Sequence, residues 1–186
     1  MDSYQERSSY QLMLNLGSGY QPLPKPWINV DYKQAPNVDQ IVDLNKDWPW
    51  KDNSVDQIFS SHAVEHLDSF VHFMRESQRV LKVGGWLEVR CPYGASDDAM
   101  ADPFHTRPFY EGTFASFVKG YGTQDNPKQT LNPQYDEWPF TFVVRDVKFL
   151  YTKWIYRLPF GEKIGYWLKR YLNNIARNMQ VLYQKT

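Results

Sequence analysis

The stretch Leu12-Met13-Leu14-Asn15-Leu16-Gly17-Ser18-Gly19 is an apolar run that breaks off in a glycine turn. A short, nearly continuous apolar segment bounded by turn residues reads as a buried strand, here Gln11 to Leu16. Glycine in such a turn lets a ligand approach the backbone closely. The next strand-like run, Trp27-Ile28-Asn29-Val30-Asp31, closes on an acid. Polar residues at strand tips are where α/β sheets bind ligands. A carboxylate at Asp31 can accept hydrogen bonds from both hydroxyls of a ribose.

Between these two runs, Tyr20-Gln21-Pro22-Leu23-Pro24-Lys25-Pro26 carries three alternating prolines, which forbid a regular helix. A dinucleotide site needs a helix there, because its amino terminus neutralises the pyrophosphate. A glycine turn and a ribose carboxylate without that helix suit a nucleoside lacking phosphate. S-adenosylmethionine is the commonest such cofactor, and an NAD-linked oxidoreductase becomes the lesser reading. Asp43-Leu44, after a third strand Val38 to Asp43, offers an acceptor for an adenine amine and a backbone amide for the ring. Trp48-Pro49-Trp50 follows as an apolar wall for it.

The rest of the chain alternates short apolar runs with helical or polar connections, the pattern of an α/β layer fold. Val55 to Ser61 reads as a fourth strand. Ser69 to Lys82 reads as a helix with Phe70, Phe73, Met74, Val80 and Leu81 on one face and Asp68 or Ser69 as cap. Gly84-Gly85 stops it, and Trp86 to Cys91 is a fifth strand ended by Pro92. Gly120 to Pro139 lacks periodicity, and residues 109–139 form a candidate lid. A sixth strand, Phe140 to Tyr151, a helix, Glu162 to Asn173, and a last strand, Ala176 to Gln184, complete the chain. The last two strands are expected to pair antiparallel at one sheet edge.

The 186 residues, 42% hydrophobic and 23% charged, fit a single folded domain and exclude a disordered or collagen-like chain. Cys91 is the only cysteine, which excludes an internal disulfide framework and suits a reducing compartment. Met1 to Gln11 lacks the pattern of a secretory signal, and no run reaches the roughly 18 apolar residues that cross a bilayer. A cytoplasmic location is therefore expected. The zero net charge is uneven: Phe140 to Thr186 holds nine basic residues against two acidic, leaving twelve basic against nineteen acidic in the remainder. Within residues 151–173, Trp154, Tyr156, Phe160, Tyr166 and Trp167 interleave with Lys153, Arg157, Lys163, Lys169 and Arg170. Such a segment can meet phosphate-bearing saccharides or a lipid headgroup layer. The acidic body disfavours nucleic acid.

Candidate chemistry clusters behind the fourth strand. His62, Glu65 and His66 are placed to line an acceptor side, and His62 is favoured as a base because imidazole titrates near neutrality. His62-Ala63-Val64-Glu65-His66 also spells H-x-x-E-H, a zinc-peptidase pattern that needs both histidines on one helix face. Here it follows a strand and has room for one helical turn before Asp68, so no metal is expected. Tyr93, and Asp102 and Arg107 in Asp102-Pro103-Phe104-His105-Thr106-Arg107-Pro108-Phe109, extend the acceptor side. His105 is the alternative base.

Leu14-Asn15-Leu16-Gly17-Ser18-Gly19, Trp27-Ile28-Asn29-Val30-Asp31, Asp43-Leu44-Asn45, Asp56 to Leu67 and Arg79-Val80-Leu81-Lys82-Val83-Gly84-Gly85-Trp86-Leu87-Glu88-Val89, in this order and spacing, resemble a class I S-adenosylmethionine-dependent methyltransferase. The likeness runs from Leu12 to Pro108 and is nearest to a small bacterial branch with a shortened first crossover. It implies a Rossmann-like three-layer α/β/α fold, mostly parallel with an antiparallel last strand, spanning one domain over residues 1–186. It also implies S-adenosylmethionine as cofactor. By position, Asn15, Gly17, Ser18 and Gly19 would face the methionine part and Asp31 the ribose. Asp43 and Leu44 would face the adenine, and Ser61 and His62 the methyl-bearing sulfur. The acceptor would be an oxygen or nitrogen of a small molecule or glycan. A non-catalytic cofactor-binding scaffold is the alternative.

Overall fold

The computed structural model describes residues 11–119, 140–153, 155–169 and 171–186. Seven strands form one sheet in the order β3-β2-β1-β4-β5-β7-β6. They are β1 (Met13–Leu16), β2 (Trp27–Asp31), β3 (Gln40–Ile41), β4 (Val55–Ser61), β5 (Leu81–Pro92), β6 (Phe142–Tyr151) and β7 (Ala176–Lys185). The helices are α1 (Phe70–Val80), α2 (Asp97–Met100), α3 (Glu111–Ala115) and α4 (Gly161–Leu168). β1 pairs in parallel with both β2 and β4, and β4 with β5. β7 lies between β5 and β6, antiparallel to both. The reversed last strand is therefore present, one place in from the edge that β6 occupies.

Strands β2 and β4 and the body of α1 fall where hydrophobic periodicity puts them. Ser69 caps α1 by accepting a hydrogen bond from the His72 amide at 3.1 Å. α1 ends at Val80, before the glycines. Gly84, at φ +83°, sits in a bulge where Leu81 to Trp86 of β5 oppose Val55 to Gln57 of β4. The third strand shrinks from the expected six residues to Gln40–Ile41.

Phe70, Phe73, Met74 and Val80 of α1 bury against Ile58, Leu87, Val89, Val181 and Tyr183 of the sheet. Phe70 is the centre of an aromatic cluster with Phe73, Phe109, Phe114 and Phe117, ring centroids 4.8–6.0 Å apart. Phe109, Phe114 and Phe117 thus anchor residues 109–119 to the core. The remainder of the candidate lid, residues 120–139, lies outside the described residues.

α1, α3 and α4 all stand on this one face. On the other, alternate side chains Gln57 and Phe59 of β4, Trp86 and Glu88 of β5, and Leu182 of β7 line an open hollow with Trp27. The second helical layer of a three-layer fold is not formed by the described residues. The crossovers that would build it, 17–26 and 32–39, are short and contain prolines. A polar network holds the first crossover instead. Asn29 Oδ1 accepts from Asn15 Nδ2 and from the Leu23 amide, both at 2.8 Å, while Asn29 Nδ2 donates to the Leu23 carbonyl.

The basic tail is divided by packing. Tyr156, Phe160, Tyr166, Trp167 and Tyr171 are exposed, but Lys169 is buried. Its Nζ reaches the Glu111 carboxylate and lies 4.1 Å from the Phe149 ring centroid and 4.7 Å from that of Tyr166. Lys169 therefore joins α4 to α3 and is not a solvated cation. Trp154 and Arg170 lie outside the described residues. Burial alone pushes the Glu111 carboxyl up, but Lys169, aided by the Tyr93 hydroxyl, holds it below the ordinary value.

Glu111→Gln is expected to destabilise the fold by about 2 kcal/mol. Breaking a fully buried pair costs roughly 3–5 kcal/mol, and solvent screening at the Glu111 side chain, which is 40% exposed, reduces that. A carboxyl depressed by folding stabilises fully above its ordinary value of 4.5 and ceases to do so as pH falls through the lower folded value. Urea titrations of the two proteins should therefore differ at pH 7 and converge in acid. A constant difference down to pH 2 would mean that the carboxylate charge is not responsible.

Among the described residues, no helix is long and apolar enough to cross a membrane.

Candidate functional site

The order of the sheet reverses between β1 and β4, since the chain moves outward to β2 and β3 on one side and to β5 on the other. Crevices for ligands open at the carboxyl ends of strands on either side of such a reversal. A cleft of about 690 Å³ lies there, within the range usual for small-molecule sites. Its lining combines Gly17 and Gly19 after β1, Asp31 to Lys33 after β2, Asp43 to Asn45 after β3, and His62, Ala63, His66 and Leu67 after β4. Phe104 closes one side.

The glycine turn is built around Val30 and Asp31. The amides of Gly17 and Ser18 both donate to the Val30 carbonyl, at 2.9 and 3.0 Å. The Gly19 amide donates to Asp31 Oδ2 at 2.8 Å. Gly17 (φ +72°) and Gly19 (φ +49°) occupy the left-handed region, which side chains strain. A Cβ on Gly19 would meet nothing within 4 Å, whereas one on Gly17 would strike the Ala63 Cβ. The turn thus lies against the start of the β4 loop at Gly17 and faces open cleft at Gly19. Asp31 is 9% exposed. Lys33 contributes a further amide to its Oδ1 at 3.2 Å, and each carboxylate oxygen keeps a lone pair for a ligand hydroxyl.

Asp43 is held by the Asn45 amide and by Lys46, and these keep its carboxyl below the ordinary range. The 43–52 loop is tied to α1 through Arg79, which donates to the carbonyls of Trp48 and Trp50 and to Glu76 and Asp52. Trp48 and Trp50 are consequently core residues. The Trp48 ring packs edge-on against Phe73 at 5.5 Å, so these rings do not wall the cleft. The exposed ring of Tyr32, directly after Asp31, does line it. An aromatic following the strand-end acid was the available sequence signal.

At the tip of β4, His62 takes φ +53° and its Nδ1 stands 3.3 Å from Glu65 Oε1. The neighbouring carboxylate, against the opposing effect of partial burial, raises the imidazole above its usual pKa. Val64–His66 is a single 3-10 turn, so His62 and His66 do not share a helix face and the zinc-peptidase geometry is absent. Glu65 is 1% exposed and sits behind the cleft wall.

Several expected site residues lie elsewhere. Asn15 is buried in the crossover network, away from the cleft. Ser18 is buried and Ser61 half-buried, and neither lines the cleft. Tyr93 is buried, its hydroxyl donating to Glu111 at 3.2 Å. It belongs to the Lys169 cluster, with Lys169 Nζ 5.2 Å from its ring centroid. Asp102 caps the Phe104 amide at 2.8 Å, and Arg107 is exposed outside the lining. His105 does not open into the cleft. Its Nδ1 lies 2.9 Å from the Ala99 carbonyl, and its ring meets that of His66 at 4.8 Å. A ring so enclosed is not placed to act as a base on a cleft ligand.

A family model described as "Methyltransferase domain" matches residues 25–89, the segment that carries Asp31, Asp43, His62 and α1. A probable S-adenosylmethionine-dependent methyltransferase of Mycobacterium tuberculosis is 31% identical over 111 residues, covering 53% of this chain and 40% of that protein. The chain thus spans well under half the length of this curated relative. Among solved structures, a methyltransferase dependent on the same cofactor, from Archaeoglobus fulgidus, superposes with a TM-score of 0.60 at 17% identity, covering 94% of this chain and 86% of that one. A putative sarcosine dimethylglycine methyltransferase of Galdieria sulphuraria gives 0.58 at 14%, covering 95% and 80%. The sheet order, the reversed β7 and the cleft at the β1–β4 switch point give this chain the fold of S-adenosylmethionine-dependent methyltransferases.

Proposed function

We propose that the chain is a methyltransferase that binds S-adenosylmethionine in the cleft and passes its methyl group to an oxygen or nitrogen of a small molecule or glycan. The observation that carries this reading is the joint placement of Gly19, Asp31, Asp43 and His62 in the lining of a single cleft. The cofactor fits what is there: open space over Gly19, a carboxylate with free lone pairs at Asp31, and, among the described residues, no helix amino terminus in the lining for a pyrophosphate. When bound, it supplies an activated methyl group on a sulfonium.

The remaining work falls to the protein. Asp31 would fix the ribose, Asp43 and the Leu44 amide the adenine edge, and Tyr32 one face of the ring. Gly17 and Gly19 leave room for the methionine part. His62, at the tip of β4, faces the acceptor side and can take its proton when the acceptor holds it tightly. Transfer otherwise depends on aligning the two reacting atoms and excluding water, which positioning alone can accelerate greatly. The exposed rings Tyr156, Phe160 and Trp167 beside Lys163 support an acceptor borne on a phosphate carrier, nucleotide or lipid, in the cytoplasm.

Calorimetry with S-adenosylmethionine and with NAD, followed by a turnover assay for S-adenosylhomocysteine on nucleotide-linked and vesicle-borne glycans, tests this. Binding of the first ligand alone, with turnover on a member of the panel, is the expected result. Turnover confined to vesicle-borne acceptors would place the tail at a lipid surface. Cofactor binding without turnover on any acceptor would favour a non-catalytic scaffold. In the turnover assay, His62→Ala is expected to lower the rate about 10²-fold, in line with loss of a general base, with cofactor affinity kept. An unchanged rate would reduce His62 to a wall residue.

A further inference from the structure

Among the described residues, three side chains able to ligate a metal meet beside the cleft: Glu65, His66 and His105. One ligand atom from each lies within 4.8 Å of the other two. Sequence spacing does not show this, because His105 arrives from 39 residues beyond His66.

Each member is prepared for a cation. Glu65 is 1% exposed, and neither carboxylate oxygen accepts a hydrogen bond. His62 Nδ1 stands 3.3 Å from Oε1. A carboxylate withdrawn from water without donors is costly, and buried charges are found paired or on metals. The two histidines are oriented from behind. His105 Nδ1 lies 2.9 Å from the Ala99 carbonyl and His66 Nδ1 3.3 Å from the Phe104 carbonyl. A carbonyl only accepts, so each neutral ring carries its proton on Nδ1 and leaves its lone pair on Nε2. Metal-binding histidines are held by such backbone contacts. On the far side of His105, Asp102 Oδ2 lies 3.7 Å from Nε2.

We propose that Glu65, His66 and His105 bind a divalent transition-metal ion of the zinc type, with Asp102 in reach as a fourth ligand. Two imidazoles with a carboxylate select zinc-class ions over magnesium or calcium, which prefer all-oxygen shells. Bonds of about 2.0–2.2 Å put ligand atoms roughly 3.3 Å apart around a tetrahedral ion. The exposed ring of His66 can swing to close that gap. His66 also lines the cleft, so an open coordination position would face the space assigned to the methyl acceptor and hold an acceptor oxygen. That use rests on the methyltransferase reading, whereas ion binding does not.

The test uses the untagged full chain, freed of metal by a chelator and titrated with Zn²⁺ against a chromophoric competitor, then with Co²⁺ by visible absorption. One equivalent per chain is expected, with d–d bands of a nitrogen-containing four- or five-coordinate site. His66→Ala and His105→Ala should each weaken Zn²⁺ binding at least tenfold, with circular dichroism unchanged. Glu65→Gln keeps the side-chain volume and should remove the rise in Tm that Zn²⁺ gives the parent chain. Zn²⁺ affinity equal in the parent chain and in the His66→Ala/His105→Ala double variant would overturn the proposal. Failure of S-adenosylmethionine to bind would leave these readouts untouched and bear only on the function proposed above.

Discussion

Gly17→Ala is expected to destabilise the protein by about 2–5 kcal/mol and to abolish measurable cofactor binding. Two costs combine at this position. The left-handed backbone at φ +72° costs a side-chain-bearing residue roughly 1–2 kcal/mol. The new Cβ would also overlap the Ala63 Cβ, and overpacking of a close contact costs about 1–3 kcal/mol. Relief requires the glycine turn to move away from the β4 loop, which displaces the Gly19 amide from Asp31 and the start of the loop bearing His62. Urea denaturation and calorimetry measure the two effects. The double variant Gly17→Ala/Ala63→Gly should recover the overlap part while retaining the backbone part. A single variant within about 0.5 kcal/mol of the parent chain, the range of an inconsequential surface change, would show that the turn does not bear on β4 as described.

Asp31→Ala is expected to weaken S-adenosylmethionine binding by roughly 1–3 kcal/mol, about 5- to 150-fold, through lost ribose hydrogen bonds. The carboxylate has a structural duty as well, since Oδ2 accepts the Gly19 amide. Asp31→Asn separates the two duties: its amide oxygen can still accept from Gly19 while the charge is gone. Calorimetry should therefore find Asn intermediate, with a Tm near that of the parent chain. Equal affinity for all three proteins, each folded, would remove Asp31 from the ligand site.

The local elements were legible because local rules govern them. β2 and β4 stop where their apolar runs stop, and α1 keeps the face that places Phe70, Phe73 and Met74 in the core. The glycine turn and the acid at Asp31 were readable for the same reason: each is a strand end with its own chemistry. Trp48 and Trp50 were misplaced because an aromatic pair after an acid suits a ligand wall and a core equally well. The choice was made by Arg79, 29 residues from Trp50. Lys169 was misplaced similarly. Composition marks it as a surface cation, and only the approach of Glu111, Phe149 and Tyr166 makes its burial tolerable.

The sequence by itself determined the order of the strands, the place of α1, the helix-free first crossover and the acid that ends β2 beside a glycine turn, since each follows from neighbours along the chain. Tertiary structure alone decided that His105 meets His66 and Glu65, that Tyr93 turns to Glu111, and that, among the described residues, one face of the sheet stands without helices. Those outcomes depend on where distant segments land after the sheet has twisted and packed, which no periodicity or spacing along the chain encodes.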